Sequence, residues 1–149
     1  MKDPNLDLGA IKSEHIVDCD ANPFAPNVNW LVESHQKGGQ FQFDLSKIEL
    51  YLSKKQKEGL IIGNDLRKEL KNKPVLNACV LKYLLDHQEL IPDDWKDKYV
   101  CFWGTIYKYF NNMLIVPHLY WNEYEWVWSF NCLECNFSSS SPAVLVKQS

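Results

Sequence analysis

The stretch from Tyr99 to Cys132, YVCFWGTIYKYFNNMLIVPHLYWNEYEWVWSFNC, decides the fold. It divides into three runs rich in aromatic and β-branched residues, separated by Asn111 and Asn112 and by Asn122 and Glu123. Asparagine tolerates the positive φ that tight hairpins demand, so an antiparallel three-strand meander is expected. Pro117 lacks the N–H that a middle strand donates, which predicts a bulge or a break in pairing there. In the third run Tyr124, Trp126, Trp128 and Phe130 point to one face, and Glu125, Val127, Ser129 and Asn131 to the other. The first run is apolar on both faces, with Tyr99, Cys101, Trp103, Tyr107 and Tyr109 opposed to Val100, Phe102 and Ile106. A sheet covered on one face only would leave some of these exposed and favour a binding surface.

Upstream the pattern turns helical. Asn77 caps ACVLKYLLDH, in which Val80, Leu81, Leu84 and Leu85 form one apolar stripe and Leu76 is placed to staple against Leu81. Asn64 is placed to cap a short helix, DLRKEL, with Leu66 and Leu70 on one side. Pro92 ends regular structure, and Asp93 to Trp95 suit a further turn. NWLVES and FQF suit short strands flanking the HQKGG turn, and KIELYLS alternates as a half-buried strand. Residues 1–29 contain Pro23 and Pro26 and are expected to form an extended arm docked by Ile16, Val17, Phe24 and Trp30. Residues 30–149 then form a single α+β domain: an antiparallel sheet, made of the C-terminal meander plus strands from the first half, covered by one main helix and one short helix.

Composition agrees with one globular domain of 149 residues. Apolar residues make up 46% and charged residues 23%, which argues against disorder and against a membrane class. The longest apolar run falls far short of the roughly 20 residues that cross a bilayer. The first thirty residues carry seven charges and no apolar core of a signal peptide, so a cytoplasmic location is expected; secretion without such a signal lies outside this reasoning. Five cysteines, an odd number, are then expected as reduced thiols.

Charge is segregated. Between Ser53 and Lys73 seven bases face three acids, while the first 36 residues carry six acids and two bases. The basic segment would steer an anionic partner. Six of its seven bases are lysines, however, and arginine is the better reader of phosphates and bases, so nucleic acid is not the expected partner.

The segment GNDLRKELKNKPVLNACVLKYLLDHQELIPDDWKDKYVCFWGTIY (63–107), with SHQKGGQF (34–41), resembles a family of small uncharacterised bacterial proteins. These share a His-Gln-Lys-Gly-Gly-like turn, a Leu-Asn-Ala helix start, a Leu-Ile-Pro-x-x-Trp stretch and a Phe-Trp-Gly-Thr-Ile-Tyr strand. The resemblance spans residues 33–145 and is most specific over Phe102 to Tyr107. It implies a single-domain bacterial protein and no catalytic residue. The N-terminal arm falls outside it, and NCLECN is peculiar to this chain.

No nucleophile elbow, phosphate-binding loop, dinucleotide fingerprint or kinase signature is present. Cys132 and Cys135 have the spacing of a zinc pair, but four ligands would require Cys79, Cys101 or His118 to converge. Three apart on a strand, their sulfurs would face opposite sides, so neither metal nor cofactor is expected. The leading expectation is a non-enzymatic binding or interaction module of inhibitor, immunity or effector type. It would engage a protein partner through Trp103, Tyr107, Trp121, Trp126 and Trp128. The alternative is a small hydrolase or nuclease with His35 or His118 as general base and Lys37 holding an anionic substrate. That alternative requires His35, Lys37 and a carboxylate such as Glu33 or Asp44 to share one cleft. Oligomeric state is not legible.

Overall fold

A computed structural model of the chain describes residues 15–25 and 29–147. In chain order the strands are β1 (Ile16–Asp18), β2 (Leu31–His35), β3 (Gln40–Gln42), β4 (Ile48–Tyr51), β5 (Ile61–Ile62), β6 (Val100–Cys101), β7 (Thr105–Lys108), β8 (Leu114–Trp121), β9 (Trp126–Cys132), β10 (Asn136–Phe137) and β11 (Ala143–Val146). The helices are α1 (Lys54–Glu58), α2 (Gly63–Glu69) and α3 (Ala78–Asp86), with short 3-10 turns between elements. Among the described residues no helix is long and apolar enough to cross a membrane.

Strand β8 is the axis of a curled, mostly antiparallel seven-stranded sheet. One edge of β8 pairs with β9 along its whole length, from Ile115 opposite Cys132 to Trp121 opposite Trp126. The other edge is shared: Leu114 and Ile115 pair with β7, and His118 and Leu119 pair with β6. The sheet therefore forks, β7 leading on to β2 and β6 leading through a parallel contact to β11 and then β4. Pro117 stands at the fork. The Phe102 N–H donates to its carbonyl at 2.9 Å, so the missing N–H faces the gap between β6 and β7 and costs no ladder bond to β9. The expected break in pairing is thus displaced onto the neighbouring strand. Asn111 and Asn112 adopt φ of 68° and 61°, but at the second turn the positive φ, 83°, falls on Glu123. Asn122 instead accepts from the Tyr124 and Glu125 N–H groups with its side-chain oxygen.

Both faces of the sheet are covered, which differs from the one-sided arrangement the sequence suggests. On one face Val100, Leu119, Trp126 and Val144 meet Val80, Leu81 and Leu84 of α3, with Val17 and Cys19 from the N-terminal segment. On the other, Cys101, Ile106, Val116 and Leu145 meet Leu66 of α2 and its C-cap Leu70, together with Ile61 and Phe137 from the β5–β10 pair. The two-sided apolar pattern of the first run is explained by this second layer, not by an exposed surface.

Other expectations are corrected by local chemistry. Among the described residues there are three helices, not two, because Ser53 and Gln56 form a reciprocal capping box for α1. Asn64 is no cap: α2 begins at Gly63, and the Gly63 and Asn64 N–H groups donate to the carbonyls of Cys135 and Leu133 at 2.9 and 2.8 Å. A Cβ on Gly63 would lie 2.7 Å from the Leu133 oxygen, so glycine permits this docking. Strands β2 and β3 do not pair with each other across the glycine turn; β2 joins β7 and β3 joins β1. Within the expected arm, Val17 is buried and Phe24 half-buried against the core while Ile16 is exposed; residues 1–14 and 26–28 lie outside the described residues. Asn77 caps α3 as its position predicts, accepting from the Cys79 N–H.

Gly104 marks an equally tight approach, since a Cβ there would stand 2.7 Å from the Asn77 Cβ and 2.8 Å from the Leu76 carbonyl. Gly104→Ala is expected to cost about 1–3 kcal/mol by overpacking. Gly38→Ala, whose methyl would meet only the Cys19 Cβ at an ordinary 3.6 Å, should stay within about 0.5 kcal/mol of the parent. Urea unfolding of the two variants checks the contrast.

Candidate functional site

His35 ends β2 inside a closed chain of hydrogen bonds. The Ala78 N–H donates to Thr105 Oγ1 at 2.9 Å, and Thr105 Oγ1 stands 2.8 Å from His35 Nδ1. Nε2 lies 3.0 Å from the Ala21 carbonyl, an acceptor only, so the network assigns the proton to Nε2 and the acceptor role to Nδ1. The ring thereby ties the N-terminal segment to the sheet and to the start of α3. Asn77 reinforces the junction, donating from Nδ2 to the carbonyls of Cys19 and Gln36 at 3.0 and 2.9 Å. Neither Lys37 nor a carboxylate completes a catalytic group here. Lys37 is exposed and lines a different cavity, Glu33 pairs with Lys108 at 3.4 Å, and Asp44 caps the turn at Ser46.

One thiol escaped the sequence reading of this region. Cys79 Sγ lies 3.8 Å from His35 Nε2, at the N-terminal turn of α3, the arrangement of an activated nucleophile. Its electrostatics are those of an inert thiol. Burial and the nearby Asp18 and Asp20 push the Cys79 pKa up, and the His35 proton is committed to Ala21. Nothing in the spacing of residues 35 and 79 signals the contact.

His118 lies on β8 in a different place, a shallow depression lined by Tyr99, Tyr120, Ser129, Ser138 and Ser140. Its ring is buried, sits edge-on to Tyr99 and Tyr120 at 5.2 and 5.7 Å, and leaves Nδ1 without a partner among the described residues. Burial pushes its pKa down to about 4. No carboxylate lines the depression, and no group of three or more metal-ligating side chains occurs among the described residues.

The five aromatic residues singled out from the sequence do not form one surface. Trp103, Tyr107 and Trp126 are buried, Trp103 against Phe137 on one face and the other two on the opposite face. Trp121 and Trp128 are half-buried, Trp121 beneath the ammonium of Lys96 at 4.2 Å. A second, continuous ring cluster does reach the surface. Phe110 touches Tyr109 at 4.2 Å, Tyr109 touches Trp30 at 5.0 Å, and Trp30 reaches Phe130 and Trp128 at 5.1 and 6.1 Å. None of these five rings is fully buried, and Phe110 is 56% exposed. Only Trp128 of this group was among the sequence candidates, because the others lie in three separate segments.

The reduced-thiol expectation also fails at one pair. Strand β9 ends at Cys132, and a turn closed by the Cys135 N–H on the Cys132 carbonyl brings the second sulfur back to form a disulfide. The two sulfurs are not on one strand, so the opposite-sides reasoning does not apply. Cys19, Cys79 and Cys101 remain free, and burial pushes the pKa of Cys19 up to about 12 and that of Cys101 well up. Comparison of the chain with protein-family models, curated proteins and solved structures finds no match.

The depressed pKa of His118 sets a pH dependence. The unfolded residue titrates near 6.5 and the folded one near 4, so between these values only the unfolded chain gains the proton. Stability is full above about pH 6.5 and falls as pH drops towards 4, by about 3 kcal/mol from this residue. Urea unfolding at pH 7 and pH 4 should show that loss in the parent and a smaller slope in His118→Gln.

Proposed function

We propose that the protein is a non-enzymatic interaction module that engages a protein partner at the outer edge of β9 and the ring cluster beside it. The observation that carries this reading is the half-exposed cluster Trp30, Tyr109, Phe110, Trp128 and Phe130. Large rigid rings give contact area at low entropic cost and are the usual anchors of interfaces. The strand edge supplies direction. Gln88 pairs with the Trp126 N–H and carbonyl at 3.2 and 3.1 Å, on the side away from β8. By alternation the N–H and C=O groups of Trp128 and Phe130 point the same way. Among the described residues they meet no backbone partner. No charged residue lies between Trp126 and Leu133 to discourage an added strand. An extended, apolar segment of a partner would gain backbone bonds at this edge and side-chain contact with the rings.

A hydrolytic or nucleolytic reading rests on His118, a neutral imidazole in a hydroxyl-lined depression whose Nδ1 has no partner among the described residues. Among those residues no carboxylate lines the depression to orient the ring. Any hydrolysis that survives His118→Ala and His35→Ala removes that reading.

Phe110→Asp places a charge on an exposed ring position and should leave the thermal midpoint near the parent value. Partner capture from extract is expected to be lost in this variant. Hydrogen exchange of the captured complex should show the Trp128 and Phe130 amides newly protected. Capture that is indifferent to Phe110→Asp, or amides that still exchange freely, would sink the reading.

A further inference from the structure

A second cavity, of about 470 Å³, lies between the end of α2, the end of β2 and the Trp103–Gly104 break in the sheet. Its size is that of a small-molecule site. Three cations line it, Arg67, Lys68 and Lys71, and no acidic residue does. None of the three has a carboxylate within 4.0 Å among the described residues, although Glu69 stands on the same helix. Glu69 is turned away and accepts from the Tyr51 hydroxyl at 2.6 Å. Arg67 is held at the cavity by donating from Nη2 to Ser34 Oγ at 3.2 Å, which leaves further guanidinium donors uncommitted.

Cations at the end of a helix have an ordinary explanation in the helix dipole. That explanation accounts for their sign. It does not account for the cavity they line, nor for Trp103. Trp103 borders the cavity and its ring is buried against Phe137, yet its Nε1–H has no acceptor, one of two such buried side-chain atoms among the described residues. A buried donor without an acceptor is costly, and an oxygen of a ligand in the cavity would satisfy it on a shift of the ring. Leu70 and Val75 complete an apolar wall around the same space.

The geometry points to a binding site for a small organic anion, with a carboxylate or phosphate group at Arg67 and Lys71 and an apolar body against Trp103, Leu70 and Val75. The charged head accounts for the unpaired cations and the apolar body for the wall. This site stands apart from the partner surface at β9 and is independent of it.

Phenyl phosphate is a suitable probe, with inorganic phosphate and benzyl alcohol as its two halves. Calorimetric titration of the full chain is expected to give saturable binding of phenyl phosphate and weaker binding of each half. In a nitrogen-15 correlation spectrum the assigned Trp103 indole N–H should move with the same saturation. Lys71→Gln removes a charge that holds no ion pair among the described residues, so its thermal midpoint should match the parent, while Arg67→Gln also gives up the bond to Ser34 and should lower it by a few degrees at most. Each is expected to weaken phenyl phosphate by about tenfold or more. The proposal is overturned if phenyl phosphate does not saturate, if the Trp103 indole stays still, or if affinity is unchanged in both variants. Equal binding of inorganic phosphate would remove the apolar half of the site, and equal binding of benzyl alcohol the anionic half.

Discussion

The contact of Gly104 with the Leu76–Asn77 backbone is the constraint on which the rest of the molecule depends. Because residue 104 has no side chain, its N–H reaches the Leu76 carbonyl at 2.9 Å and its carbonyl receives the Gln36 N–H at 2.6 Å. The start of α3 is thereby fixed against the break between β6 and β7. With that fixed, Asn77 can cap its helix and bind two carbonyls of distant segments at once. Thr105, the next residue, can join Ala78 to His35. Asn77 and Thr105 are buried at this junction, and their polar groups find their partners there.

A sheet covered on both faces has little surface left for function. The α3 side and the α2 side each bury a set of aliphatic and aromatic residues, so what remains accessible lies at strand edges, at the fork and between layers. The uncovered part of β9, the depression at His118 and the cavity beside Trp103 are those three kinds of place. The cavity beside Trp103 lies at the gap that the forked pairing of β8 leaves between β6 and β7.

Much of this fold was legible from local signals and little of the site was. Asn77, Leu81 and Leu84 announce α3 because cap and stripe are read within ten residues. Asn111 and Asn112 announce a hairpin for the same reason. Helix α1 escaped because Lys54 to Glu58 has no apolar period, and its one signal, the Ser53–Gln56 box, is a polar pair. Asn64 misled because carbonyls some seventy residues away cap α2 in its place. Trp103 and Trp128 look alike in sequence, one in the core and the other half-exposed, since burial is decided by which layer lies above each. The cluster around Trp30 and the cavity around Arg67 are assembled from segments far apart in the chain, and no spacing rule reaches across them.

The order in which the chain is synthesised sets a further condition on this architecture. Strand β2 leaves the ribosome long before its partner β7, for His35 and Thr105 are 70 residues apart in sequence. Strand β4 waits for β11, and the carbonyl of Cys19 waits 58 residues for Asn77. Apart from β1 and β3, which pair with each other, the early strands β2 and β4 therefore find their partners only among late ones. Such separation slows folding, because loop closure precedes the contacts that reward it. For this chain β2 and β4 stay unpaired until β7 and β11 have been made, and the meander of β7, β8 and β9, whose contacts are local, is a part able to organise without them.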